Sequence, residues 1–267
     1  MNTTRIGAIV LRQFYLMRSS PTRVVPLFAW VAIDIVLWGF IARYLNSATQ
    51  GGPNFVMSLL GAVLLWDFFT RIMHGLITAF LEDVWSRNFL NVFATPLTIG
   101  EYVTGLVVTS VLTSLVGLAA MLALAGGVFG LPFVAYGAAF VPFVLILFLF
   151  GIALGIFASA CVLRFGPAAE WLAWPLPALL SPFAAVFYPL SVLPDWMQWV
   201  AHAMPPAYAF ESMRAIVAGG AASPGDLALG LALAVVYIAL AFAFFVRIYR
   251  SAVRSGLLAR YSAESAN

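Results

Sequence analysis

Four ionisable residues fall within otherwise apolar stretches of this 267-residue chain: Asp34, Asp67, Arg71 and His74. The last three follow one another at spacings of four and three, which places them on one face of a helix. A carboxylate in apolar surroundings is costly unless it holds a cation, a proton or a guanidinium, so such residues mark substrate contacts, proton relays or ties between helices. Two readings of the set stay open. In one, Asp67 pairs with Arg71 at i, i+4 and the group clamps two helices together; in the other, the same side chains hold a substrate or move a proton. An enzyme would need a catalytic pair in a wetted site. Asp34 and Asp67 are the one candidate pair, with no Ser-His or G-x-S-x-G context around them.

Other chemistries are excluded by what the sequence lacks. All 13 basic residues are arginine. Without lysine there is no Walker A motif, and no Schiff base to retinal or pyridoxal phosphate. His74 and His202 are far apart and form no H-x-x-x-H pattern. The single cysteine, Cys161, lies in apolar sequence as a small packing residue. No metal or cofactor is expected on this chain.

The elements that must position the four ionisable residues are membrane helices. Apolar residues make up 64% of the chain and charged residues 9%, against roughly 25% charged in a soluble domain. Runs long enough to cross a bilayer cover 24–45, 55–80, 101–127, 133–163, 168–193 and 226–249. The expected fold is all-α and polytopic, a single domain over 1–267 with six transmembrane helices. Arg5, Arg12, Arg18 and Arg23 precede the first span, and Arg87, Arg164 and the group Arg247, Arg250, Arg254 and Arg260 share its side if there are six crossings. The positive-inside rule makes that side cytoplasmic, with both termini. Asp34 and Asp67 then lie at similar depth, with Arg71 about 6 Å nearer the cytoplasm. Arg43, near the outer end of the first span, is expected to snorkel to the headgroups.

Ahead of the first span, Ile6, Ile9, Val10, Phe14 and Met17 recur with helical spacing, while Arg5, Arg12 and Gln13 fall elsewhere on the wheel. This predicts an interfacial helix within 1–22, lying in the headgroup layer. "IGAIVL" is too short for the core of a signal peptide. Spans three and four carry Gly117, Gly126, Gly127 and the pair Gly151 and Gly155 of "GIALG", a small-residue pattern that permits close helix packing.

Two connections break the apolar pattern. In "FLEDVWSRNFLNVFATPLTIGEYVTGL", 80–106, Glu82 and Asp83 open an amphipathic run that Pro96 stops, which predicts a helix of about three turns over 82–94 held at the interface by Trp85, Phe89 and Phe93. In "SPFAAVFYPLSVLPDWMQWVAHAMPPAYAFESMR", 181–214, prolines remove backbone donors, which is tolerated at membrane depth only where protein or water covers the freed carbonyls. A re-entrant helical hairpin over 194–212 is expected, with Asp195 and Trp196 in its first turn.

The first of these stretches resembles the coupling-helix region of ABC-2 type transporter permeases, which commonly reads E-x-x-x-G-T-L-E-x-L-x-x-T-P. Here Arg87, Asn88, Phe89 and Leu90 occupy the G-T-L-E positions, so the pattern's second glutamate is absent and docking there would be hydrophobic. The second is similar to the same family's fifth span and return loop: Phe187, Tyr188 and Pro189, then Leu193, Pro194 and Trp196, Pro205 or Pro206, Tyr208, Glu211 and Arg214. The resemblance implies the membrane subunit of an ATP-driven exporter in a bacterial inner membrane. It implies that two copies pair and that two separate ATP-binding subunits, which hold the ATP and Mg, dock on Glu82, Asp83, Trp85, Arg87, Phe89, Leu90 and Phe93. An outer gate would be built from the second stretch. The substrate would be amphipathic or lipid-linked, met by aromatics such as Trp30, Trp38, Phe68, Trp171 and Phe187; membrane lipids, and no nucleic acid, are the remaining partners. The alternative is an ion- or proton-coupled carrier using Asp34, Asp67 and His74, a class that often shows an internal repeat. No convincing repeat relates the two halves.

Overall fold

The computed structural model describes residues 1–19, 21–48, 56–86 and 89–256. Those residues are mostly helical, without strands among them. The interfacial segment forms α1 (Thr3–Arg18), with the Asn2 side chain accepting from the Thr4 amide at its start. The first span is α2 (Pro21–Ala48). The second begins with a π-helical turn (Val56–Leu60) and continues as α3 (Gly61–Trp85), five residues beyond the expected end at 80. A six-residue α4 (Phe89–Ala94) leads to α5 (Ile99–Phe129). That helix opens with a full capping box between Thr98 and Glu101 and closes on Gly130, whose φ of 68° is open to glycine at little cost. A 3₁₀ turn (Phe133–Ala139) precedes α6 (Phe140–Phe165). The last long helix is α11 (Pro224–Arg254), started by the Ser223 cap and Pro224 in its first turn.

Among the described residues, five helices are therefore long and apolar enough to cross a membrane. The fifth of the six expected spans, 168–193, is not one helix. Gly166 and Pro167 end α6, and the chain then makes only α7 (Glu170–Ala173), α8 (Leu176–Leu180) and a run of turns over 181–188. Pro167, Pro175, Pro177 and Pro182 explain this, since each removes a backbone donor and crowds the preceding turn. Downstream lie α9 (Asp195–His202) and α10 (Pro205–Val217). Asp195 sits in the first turn of α9 with Pro194 at its cap position, where no side chain caps the helix.

The bundle is ordered by α3 and α6. Helix α6 packs along both α11 and α3, α5 packs on α3, α2 and α1, and α10 lies across α6 and α11. The "GIALG" glycines set the α3–α6 contact: a Cβ at Gly151 would stand 3.0 Å from the Phe69 carbonyl, and one at Gly155 3.0 Å from Leu76 Cβ. Phe69, Phe150, Phe143 and Phe210 fill the space between α3, α6 and α10. Arg43 does not simply reach for headgroups. It donates to the Val128 carbonyl at 3.0 Å and lies over the Phe129 ring, capping the C-terminus of α5 where the helix dipole is negative.

Candidate functional site

The one-face spacing of Asp67, Arg71 and His74 holds, and the fold adds Asp34 to them: all four line a cavity of about 460 Å³ between α2, α3 and α5. Trp30 and Asp34 come from α2, Thr109 and Thr113 from α5, and Trp174 from the turn after α7. Along α3 the lining runs from Asp67 to Glu82, four turns of helix or roughly 22 Å. Its lower end is closed by Gln13 and Met17 of α1. His74 Nε2 lies 3.3 Å from the Trp174 carbonyl, and its ring packs on that indole at 4.6 Å. Arg71 lies across α5 because position 117 has no side chain; a Cβ on Gly117 would stand 2.7 Å from Arg71 Cδ. Asp67 is not fully satisfied within its own helix, since its buried Oδ2 accepts no hydrogen bond from the described residues.

Trp174 joins the site from the proline-broken segment, and nothing in its local sequence signals that. The threonines were legible, because Thr109 and Thr113 at i, i+4 make a polar stripe in an apolar span. Of the aromatics expected on a path, Trp30 borders the cavity, Trp38 stacks on Phe187 at 5.7 Å, Trp171 is exposed, and Phe68 is fully buried in the core instead.

Beneath the cavity, the residues expected at 82–94 separate into three groups. Glu82, Asp83 and Trp85 do not open a new helix; they form the last turn of α3, because the apolar face of that helix continues through Leu81 and Val84. Asp83 is fully buried and cannot meet a soluble partner. Its carboxylate accepts from Arg12 of α1 and, at 2.7 Å, from the Tyr102 hydroxyl of α5. Burial opposes the Arg12 charge, but the Asp83 hydrogen bond and charge outweigh it and hold the guanidinium above its ordinary range. Trp85 is half exposed, its indole donating to Glu170 of α7 at 3.2 Å. Phe89, Leu90 and Phe93 lie on α4, whose six residues replace the expected three turns; their side chains, and all of Arg87, lie outside the described residues.

Helix α1 sits across these helix ends. Glu101 accepts from the Asn2 amide at 2.7 Å and from Arg5 at 3.4 Å, Gln13 donates to the Ala79 carbonyl, and Ile9 rests on Gly105. Gln13 thus packs against the protein while Phe14 is left exposed on another face of α1.

The 185–214 region is tied by the Glu211–Arg214 ion pair. Glu211 accepts from the Leu190 amide at 2.7 Å and from Arg214 at 2.8 Å, while Arg214 also donates to the Val186 carbonyl at 3.3 Å. The pair holds a buried turn whose Ala185 has a φ of 53°, a left-handed conformation unusual for alanine. Tyr188 donates to the Pro182 carbonyl, and Tyr208 to that of His202. Trp196 packs edge-on against Phe183, Leu193 is buried beside Ala201 and Ala207, and Pro189 caps a short 3₁₀ turn.

Five apolar helices of crossing length among the described residues make this a multi-pass membrane protein. Residues 4–218 match the family model for ABC-2 type transporters, and the chain belongs to that family. Comparison with curated proteins returns no match. Membership makes the chain the membrane-spanning permease subunit of an ABC transporter, non-catalytic itself and working with an ATP-binding subunit.

Proposed function

We propose that the chain is the permease of an ATP-driven exporter that takes an amphipathic or lipid-linked substrate from the inner leaflet into the cavity between α2, α3 and α5. The observation that carries this reading is the shape of the lining, polar residues arranged along four turns of α3 from mid-helix down to α1. A groove of that course accepts a headgroup while an apolar tail stays in lipid. Two copies pair within a bacterial inner membrane, each docking one of two ATPase subunits, which bind ATP and Mg, through the short 86–97 connection; both termini are cytoplasmic.

The proline-broken 166–193 segment supplies the remaining crossing in this reading, and α9 with α10 forms the re-entrant outer gate. The stack of Trp38 on Phe187 and the Glu211–Arg214 tie would have to rearrange for a substrate to leave. The test is mild extraction of the tagged chain from its native membrane, identification of what copurifies, and an ATPase assay. A stoichiometric Walker A protein is expected, its turnover lost in an inserted F89D/L90D chain. A chain that purifies alone and moves substrate in liposomes without ATP refutes the proposal.

A further inference from the structure

The cavity's charge is lopsided. Among the described residues, Asp34 and Asp67 line its upper part against a single arginine, Arg71. An anionic ligand would meet one guanidinium between two carboxylates, and like charges in a low-dielectric site repel strongly. A neutral amphiphile would leave the buried Asp67 Oδ2 as it is, without a donor. A cation beside that oxygen offsets the carboxylate charge. The wall supplies the rest of what such a ligand needs: the indoles of Trp30 and Trp174 at the edges, 66% and 41% exposed, present faces that attract cations, and threonine hydroxyls complete the polar side.

We propose that this cavity is a binding site for amphipathic organic cations, with Asp67 and Asp34 as the charge-reading pair and Trp30 and Trp174 as the aromatic walls. The inference rests on the exporter reading only for its meaning as a substrate site; binding itself needs no ATPase. The same face of α3 that carries the acids also carries Arg71, which separates Asp67 from Glu82 and gives the groove one preferred end for the charged group.

The experiment is equilibrium binding to the full-length chain in nanodiscs, with two probes of nearly one shape and opposite charge, tetraphenylphosphonium and tetraphenylborate, and empty nanodiscs as the partition blank. Saturable tetraphenylphosphonium binding is expected, weakened about tenfold or more in D67N and in D34N, as for loss of a charge–charge attraction of about 1.4 kcal/mol. Tetraphenylborate should not compete. The half-buried Asp34 keeps the test alive if D67N fails to fold, and W174A, expected to weaken the cation severalfold, provides a second such variant. Equal competition by tetraphenylborate, wild-type affinity in both aspartate variants, or no saturable cation binding overturns the proposal. Such a failure leaves the copurification result intact, whereas failure to recover an ATPase removes the export reading and leaves the cation site standing.

Discussion

Replacing Arg12 with methionine keeps the side-chain stem and removes the charge, leaving the Asp83 carboxylate with Tyr102 alone. Asp83 is completely buried and Arg12 is 28% exposed, so the two halves of the pair are unequal. Stranding a buried charge costs about 3–5 kcal/mol. Converting Asp83 to asparagine strands only Arg12, which has a path to water, and keeps an acceptor for Tyr102; a loss of roughly 1.5–3 kcal/mol is expected. The double variant should cost less than the sum of the single ones, with a coupling energy within about 0.5–3 kcal/mol. Because α1 is held mainly by such contacts, the loss appears as local undocking, readable as hydrogen exchange in peptides from α1 and from the start of α5 in nanodiscs. R12M should accelerate exchange of the α1 amides about 100-fold or more. Exchange within threefold of wild type in R12M, or strictly additive costs in the double variant, would refute the assignment of this pair as the anchor of α1.

Two further expectations come from other contacts. R214M should free the Val186 carbonyl and loosen Glu211, raising exchange at the Leu190 amide about tenfold while α3 and α6 stay protected; equal protection in the variant would mean that the turn is held by packing alone. G155V should lower bundle stability by about 1–3 kcal/mol in a dodecyl sulfate unfolding titration, since even a Cβ there stands 3.2 Å from the Met73 carbonyl, and unchanged stability would show that α6 can shift freely on α3.

Where hydrophobic length decides structure, the sequence was readable. The runs that became α2, α3, α5, α6 and α11 are continuous, and the i, i+4, i+7 placement of Asp67, Arg71 and His74 fixes a shared face whatever surrounds it. The fifth span is not one continuous helix, for a local reason that was present in the letters: apolarity satisfies the bilayer, but four prolines between 167 and 182 deny the helix its hydrogen bonds. What sequence missed at α1 and at Asp83 is of another kind. Arg12 meets Asp83 across 71 positions, and Trp174 meets His74 across 100, pairings that no local period encodes. An amphipathic wheel places Gln13 off the apolar face but not what it meets there, the Ala79 carbonyl.

The docking of α1 has a mechanical side. The connection between α3 and α5 is anchored at two points, the buried Asp83 just before it and Glu101 just after it, and one rigid helix bridges both. Helix α1 therefore acts as a strut. A load applied to residues 86–98 cannot dissipate by splaying the two spans apart without first breaking those charged contacts. It is passed to α3 and α5 as a pair, and these are the two helices whose facing residues form most of the cavity wall.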